Sequence, residues 1–335
     1  MKKLLLILLV IGFVSSTMAQ DKVYKSVSDK MPAIKTLMEA PVNSGNVYSD
    51  DYTPQVIHQD VNGLAVTFVE IGRAGNAYGF YNNPRTYLWA DPLLNSVVFT
   101  HRMTGGTELE GNSRVAYDVS TDGGATWTLN QKVYQPFEGG GGEFVQAAGR
   151  YPQGGIINPP GNTDPANAFY TYFICTLDNT NDSWGGFAYG SNPLTETDPP
   201  NPSQANITSD AGNDIYRLIP DAFTIGMDGV AHSVDGSQSY DGANVEYVGY
   251  QLYNRGEITE DDTIAYTEEL VPFLFDFTGT DFGINDTKIA FGPDGQTGYI
   301  CVMTEPTEDE ELVPYTNYHP VLIKTTDGGQ SWGDP

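Results

Sequence analysis

The chain has 335 residues, with 43 acidic side chains against 16 basic ones and a formal net charge of −27 at pH 7. This balance excludes nucleic-acid binding as a primary function, because neutralising phosphates requires clustered lysine and arginine. Two cysteines are too few for a disulfide scaffold, and the four histidines show no metal-ligand spacing.

The first 19 residues have the pattern of a secretory signal peptide. Lys2 and Lys3 precede an apolar run at 4–14, and small residues at 17–19 suit a cleavage site. The run is too short for a membrane anchor, and no second run of membrane length follows. We therefore expect an exported chain without a membrane span. Residues 20–60 are interpreted as an N-terminal leader or linker with one modest helix at 28–38, or as a partly disordered segment.

Four later segments repeat the pattern of a strand, a tight turn and a second strand. The last turn residues are Asn95, Gly161, Gly229 and Gly295, which lie 66, 68 and 66 residues apart. All four are types that tolerate a positive φ. A period near 66 accommodates a four-stranded β-sheet with long connections, so residues 61–335 are predicted to form an all-β repeat domain.

An arginine precedes three of these turns at nearly constant distance. Arg85, Arg150 and Arg217 stand 10, 11 and 12 residues before the turn residue. Side chains in one phase of successive repeats can converge at one end of the domain, where three guanidiniums would bind a carboxylate. The alternative is structural, with each arginine pairing a nearby carboxylate and tying the repeats together.

A second pattern is an eight-residue turn with a hydroxyl, an Asp, a Gly and a Trp in one frame. The hydroxyl and Asp can accept turn N–H groups, Gly supplies a positive φ, and Trp returns the chain to the interior. Two copies carry all four residues, and a degenerate copy keeps only the tryptophan. The copies are Ser120, Asp122, Gly124 and Trp127; Thr325, Asp327, Gly329 and Trp332; and Asn179, Asn181 and Trp184.

This frame resembles the Asp-box, or BNR, repeat of sialidase-like β-propellers. The resemblance implies an all-β propeller, with about four blades present out of a ring of six to eight. It also implies that the eight-residue turns lie on the outer part of the blades, so that Asp122 and Asp327 build turns rather than act as catalytic acids. The last copy stands at the end of the chain, which leads us to expect a longer protein.

The resemblance only partly extends to the sialidase active site. Arg150, Tyr151 and Pro152 match an Arg-x-Pro motif, although this motif follows the first eight-residue turn instead of preceding it. The Tyr/Glu pair and the later arginines of those enzymes come from later blades in that family, which by this resemblance would lie beyond Pro335, so these residues do not show a complete sialidase site. Residues 150–154, Arg-Tyr-Pro-Gln-Gly, also resemble a stretch in large secreted Bacteroidetes-type proteins that carry a C-terminal sorting domain.

These observations favour a secreted or cell-surface bacterial protein that binds a glycan or an extracellular protein without catalysis. The alternative is an exo-acting glycoside hydrolase of sialidase type, with the arginines clamping a carboxylate sugar. No cofactor and no metal site are predicted, although the alternating oxygens at 178–182 leave calcium open. Cys175 and Cys301 lie in apolar runs and are expected as free thiols, with one disulfide as the alternative.

Overall fold

The computed structural model describes residues 56–61, 64–72, 85–103, 114–136, 147–178, 183–197, 203–209, 215, 217–240, 245–272, 284–304 and 319–334. The predicted signal peptide, the helix at 28–38 and the turn residues Asn179 and Asn181 lie outside these residues. The described residues belong to one compact unit, 46–335.

Seventeen β-strands and one short 3₁₀ turn, Pro165–Asn167, make up the regular structure of the described residues. β1 and β2 form a hairpin that spans the expected domain boundary near residue 60. The other strands form four sheets, here called blades 1 to 4. The hairpin is Val56–Val61 and Leu64–Val69; blade 1 is β3 Leu88–Asp91, β4 Ser96–Arg102, β5 Val115–Ser120 and β6 Thr128–Tyr134; blade 2 is β7 Gly149–Ile157, β8 Phe169–Asp178, β9 Ser183–Pro193 and β10 Ser203–Thr208; blade 3 is β11 Ala222–Ile225, β12 Ala231–Tyr240, β13 Val245–Ile258 and β14 Ile264–Pro272; and blade 4 is β15 Ile284–Phe291, β16 Gly298–Thr304 and β17 His319–Thr325.

Every blade is an antiparallel meander in which the spatial order of the strands follows the chain. The blades pack face to face through three apolar clusters, one between each consecutive pair. Tyr117 of blade 1 stacks on Tyr170 of blade 2 at 3.9 Å between ring centroids. Burying each large side chain of this kind contributes about 1.5–3 kcal/mol. Sequential four-stranded meanders stacked in this way form a β-propeller, as the period of 66 residues predicted.

The first strands of blades 1, 2 and 3 lie on the inside, where they contact one another. Gly154 of β7 donates its N–H to the carbonyl of Thr86, just before β3, at 2.8 Å. The Thr86 hydroxyl in turn donates to the carbonyl of Phe223 in β11 at 2.7 Å. Gly155 has no room for a side chain, since a Cβ would lie 2.7 Å from Ile225 Cδ1. Blades 1, 2 and 3 therefore converge through β3, β7 and β11.

The four repeated turns join the first and second strands of each blade. Asn95, Gly161, Gly229 and Gly295 have φ values of 50°, 78°, 79° and 66°. The left-handed conformation expected from their residue types is confirmed at all four positions.

The two complete eight-residue turns each contain the same pattern of hydrogen bonds. The Ser120 hydroxyl donates to Asp122 Oδ1 at 2.8 Å and accepts the N–H of Gly124 at 2.8 Å. Asp122 also accepts the N–H of Thr126 at 2.8 Å, and Trp127 Nε1 donates to the Gly124 carbonyl at 3.1 Å.

The second copy repeats the hydroxyl and carboxylate contacts. The Thr325 hydroxyl donates to Asp327 at 2.8 Å and accepts the N–H of Gly329 at 3.0 Å, and Asp327 accepts the N–H of Ser331 at 2.9 Å. These bonds lower the pKa of Asp122 and of Asp327 to about 2, in each case chiefly through the hydroxyl four residues later in the chain. Both carboxylates are ionised turn-builders.

The degenerate copy does not occupy the equivalent position. The turn at 120–127 follows the third strand of blade 1, whereas residues 179–182 connect the second and third strands of blade 2. Trp184 is already part of β9, where it is paired with Leu177, and its ring lies 5.9 Å from that of Tyr151. The matching frame therefore reflects similar residue types at a different connection.

Candidate functional site

Three arginines converge on Tyr151 at the end of the blades opposite to the repeated turns. Arg85 directly precedes β3, Arg102 ends β4, and Arg150 lies in β7. The guanidinium carbon of Arg85 lies 5.5 Å from the centroid of the Tyr151 ring. Burial raises the pKa of the Tyr151 phenol, while the positive charges of all three arginines oppose that rise. We call these four residues the arginine cluster.

A β-bulge presents Tyr151 to the arginines. The register between β7 and β8 shifts between Arg150 and Gln153, so the ladder is interrupted around Tyr151. Tyr151 has a φ of 45°, a left-handed conformation that is uncommon for a residue with a side chain. Bulges redirect side chains next to functional sites, and strained backbone concentrates there. The bulge therefore identifies this strand as the local centre of the site.

The cluster is buried at its base and open at its rim. Arg85 and Arg102 are 7% and 4% exposed, whereas Arg150 and Tyr151 are half-buried. Burial and the neighbouring charge of Arg150 lower the pKa of Arg102 to about 9. Burial also lowers the pKa of Arg150. An anion reaching Arg150 would relieve this repulsion and would form charge-assisted hydrogen bonds.

Two carboxyl groups of blade 3 adjoin the base of the cluster. Asp235 in β12 is 3% exposed, and burial followed by the neighbouring Asp221 raises its pKa well above the ordinary value, against the influence of Arg85. Its carboxyl accepts backbone N–H groups of Leu218 and Gly236. Arg85 itself donates to the carbonyl of Pro220, next to Asp221. The raised pKa of Asp235 favours its protonated form, and the two carboxyl groups adjoin the base of the cluster at Arg85.

Arg217 lies elsewhere, although the sequence grouped it with Arg85 and Arg150. Its guanidinium donates to both carboxylate oxygens of Glu268 in β14 and to the carbonyl of Thr208 in β10. Both strands are the outermost of their blades. At this position the structural alternative holds, because Arg217 ties the outer edges of blades 2 and 3 together.

Arg102 takes the third place in the cluster, and the sequence analysis missed it. A hairpin argument could have found it: Arg85 precedes the turn residue Asn95 by ten residues and Arg102 follows it by seven. Residues at similar distances on the two sides of a hairpin turn lie at the same end of the sheet. Tyr151 is the variable residue of the Arg-x-Pro motif, so the motif predicts no role for it, and nothing local distinguishes Asp235 from other strand residues.

Other candidate chemistry is limited in the described part of the chain. Cys175 and Cys301 are free thiols. Burial raises the pKa of Cys175 to about 12, so it remains a protonated thiol beside the arginines. Among the described residues, no group of three or more His, Cys, Asp or Glu side chains could hold a metal ion. Within the same residues, no helix is long and apolar enough to cross a membrane.

No protein-family model and no curated protein matches the chain. Among solved structures, it is similar to a xylan β-1,4-xylosidase from Bacillus halodurans C-125, with 11% identity over 75% of this chain and 41% of that one, at a TM-score of 0.41. It is also similar to a Trypanosoma rangeli sialidase in complex with sialic acid, with 12% identity over 83% and 40% at a TM-score of 0.35. A third is a GH43_12 protein retrieved from a capybara gut metagenome, with 14% identity over 76% and 44% at a TM-score of 0.30. The chain thus spans about two fifths of the length of these structures.

The geometry of the site fits a carboxylate better than a cation or an apolar ligand. Three guanidiniums offer donors, and the half-buried Tyr151 ring beside them offers a flat apolar face. The eight-residue turns stand apart from this chemistry. The Gly123 N–H is bonded to the Asn95 carbonyl at 2.7 Å, at the start of β4, whereas Arg102 ends that seven-residue strand. That separation is about 20 Å along the strand.

Proposed function

We propose that this protein is an exported β-propeller that binds a carboxylate-bearing glycan at the arginine cluster. The observation that carries the proposal is the convergence of Arg85, Arg102 and Arg150 on Tyr151 at a bulge in the innermost strand of blade 2. In this proposal the eight-residue turns are Asp boxes with a structural role. The signal-peptide pattern supports action outside the cell or at its surface.

The two ends of the ligand would be recognised differently. Arg150 is half-buried and meets the carboxylate at the rim, and Arg102 adds charge from behind. The half-buried Tyr151 and Trp184 rings offer apolar surface to the sugar ring, with their centroids 5.9 Å apart. A neutral sugar would retain only the aromatic contact. Discrimination in favour of acidic sugars is therefore the expected signature of the site.

Calorimetric titration with N-acetylneuraminic acid, glucuronic acid and neutral glucose tests the proposal. We expect the acidic sugars to bind more tightly, and their affinity to fall with salt. Arg150→Ala should weaken acidic-sugar binding about 10- to 100-fold, because a charge-assisted hydrogen bond contributes about 1.5–3 kcal/mol. Arg255→Ala removes the same charge at the seam between blades 3 and 4 and serves as the matched control. Equal affinity for glucose, or unchanged affinity in Arg150→Ala, contradicts the proposal.

Glycoside hydrolysis is a second candidate, favoured by the carboxyl groups of Asp221 and Asp235. A carboxyl whose pKa is raised by burial and by a neighbouring carboxyl, as for Asp235 beside Asp221, is suited to act as a general acid. Asp235 is only 3% exposed, however, which ranks catalysis below binding. Hydrolysis of aryl glycosides would establish this candidate if Asp235→Asn removes the activity while acidic-sugar binding persists. Absence of turnover in the parent protein, on substrates whose sugars it binds, would reject it.

A further inference from the structure

A polar stripe on blade 3 faces blade 2 across an otherwise apolar interface. Ser233 and Asp235 are two residues apart on β12, so their side chains share one face of the sheet. Asn254 of β13 is directly opposite Ser233. Ala231 and Leu252 lie on the same face and pack into the cluster that contains Phe173 and Phe187 of blade 2. The three polar side chains are thus held between the two blades.

The polar atoms of this stripe are buried, and several have no protein partner. Ser233 and Asn254 are fully buried, and Asp235 is 3% exposed. Among the described residues, Ser233 Oγ, Asp235 Oδ2 and both amide atoms of Asn254 make no hydrogen bond to protein. Arg85 Nε, at the base of the arginine cluster, is also buried without a protein partner there. Arg85 donates to the carbonyl of Pro220, and the N–H of the next residue, Asp221, is bonded to the carbonyl of Val234 at 3.0 Å, directly before Asp235, so Arg85 lies near the end of the stripe.

Buried polar atoms without a hydrogen-bond partner lower the free energy of unfolding. Buried polar groups in native proteins nearly always have a partner, either protein or ordered water. The cluster on this face of blade 3 is mostly apolar, and members such as Phe173, Phe187 and Leu252 offer no hydrogen bonds. Asn254 presents both a donor and an acceptor, and Arg85 Nε is a donor, so the partner must both accept and donate. Water meets this requirement, whereas a cation would be repelled by Arg85.

The spacing also suits water. Side chains two residues apart on one strand lie about 6.5–7 Å from each other. That distance is too long for a direct hydrogen bond, and it also exceeds the roughly 5.6 Å that one water molecule spans with two bonds of about 2.8 Å, so more than one water molecule is needed. We infer that the interface between blades 2 and 3 contains a chain of bound water molecules that runs from Asn254 past Ser233 and Asp235 to Arg85.

The inference is independent of the proposed ligand, because it depends only on the buried groups between the blades. It has a consequence for the arginine cluster nonetheless. Water bonded to Arg85 Nε and Asp235 would fix the Arg85 guanidinium in the orientation that faces Tyr151. Arg85 would then be held in position by water at its Nε atom and by the Pro220 carbonyl.

A crystal structure of the full chain at a resolution of about 1.4 Å tests the inference directly. We expect ordered density within about 2.6–3.2 Å of Asn254 Oδ1, Asn254 Nδ2, Ser233 Oγ and Asp235 Oδ2. Empty space at these atoms overturns the inference. So does rotation of Asn254 and Ser233 into direct contact, or a density with several oxygen neighbours at about 2.3–2.6 Å, which would indicate a cation.

Two variants provide a thermodynamic test in solution. If water satisfies the stripe, Asn254→Leu should lower the Tm by several degrees, because the leucine displaces water and leaves Ser233 unbonded. Ser233→Ala should lower it by a smaller amount. If the stripe is dry, both substitutions remove unpaired polar atoms and should leave the Tm unchanged or raise it, which contradicts the inference. Asn206→Leu, on the exposed surface of β10, is the control for the same change in residue type.

Discussion

Asp118→Asn is expected to destabilise the protein strongly, because Asp118 is the centre of a buried charge network in blade 1. His101 and Asp118 are both fully buried, with His101 Nε2 at 3.2 Å from Asp118 Oδ1. His101 Nδ1 faces the Arg102 carbonyl at 2.9 Å, so both ring nitrogens face acceptors and the imidazolium form is favoured. Asp118 also accepts the N–H groups of Asn130 and Gly72, each at 2.8 Å.

The magnitude follows from the burial of the pair. Removing one partner of a buried ion pair costs about 3–5 kcal/mol, because the other charge is left uncompensated. At about 2–4 °C per kcal/mol, the Tm should fall by about 6–20 °C. Differential scanning calorimetry at pH 5.5 measures this change, and Asp334→Asn, an exposed carboxylate, is the matched control.

The same pair predicts a pH dependence with a definite sign. Burial opposes the charge on His101, but the hydrogen bond and charge of Asp118 and the Arg102 carbonyl outweigh it and raise the His101 pKa above 6.5. The stabilisation is therefore complete below pH 6.5 and is lost as the pH rises through the raised pKa. The difference in Tm between parent and Asp118→Asn should shrink over that interval. A Tm within 2 °C of the parent at pH 5.5, or a difference that does not change with pH, would refute the reasoning.

Three further outcomes are expected. In urea denaturation, Gly329→Ala should lower the free energy of unfolding clearly more than Gly161→Ala. Both glycines have a positive φ, 76° and 78°, but a Cβ at 329 would overlap the Tyr253 hydroxyl, whereas one at 161 meets nothing within 4 Å. An equal loss in the two variants would contradict this. Burial and Arg255 lower the pKa of His232 to about 3, so its contribution to stability is present above pH 6.5 and declines as the pH falls towards 3. His232→Phe should remove this part of the pH dependence of the free energy of unfolding. Parallel pH profiles of parent and variant would exclude the contribution. Arg217→Ala should lower the Tm and show coupling to Glu268→Gln in a double-mutant cycle, while acidic-sugar binding stays unchanged. Weakened binding in a folded Arg217→Ala variant would show that Arg217 contributes to the ligand site.

Several features of the fold were predictable because they depend on few residues. The positive φ values at Asn95, Gly161, Gly229 and Gly295 follow from residue types that tolerate them. The network around Asp122 spans only residues 120–127, so its hydrogen bonds are implied by the frame itself.

The candidate site was only partly predictable. The repeat phase correctly brought Arg85 and Arg150 to one end of the blades, but it wrongly grouped Arg217 with them. The position of a residue within the repeat predicts at which end of its blade it lies. The partner of its side chain depends instead on which neighbouring strand lies beside it. For Arg217 that neighbour is β14, 51 residues away in the chain, which supplies Glu268.

The sequence by itself determined the repeat, the turns between the first two strands of each blade and the two complete eight-residue turns. These depend on contacts within a few residues, where spacing and residue type are sufficient. Only the tertiary structure decided that Arg102, Tyr151 and Asp235 adjoin Arg85, and that the degenerate copy at 177–184 lies at a different connection of its blade. The reason is that blade packing joins residues that are far apart in the chain, such as Arg85 and Pro220, through contacts that no local pattern encodes.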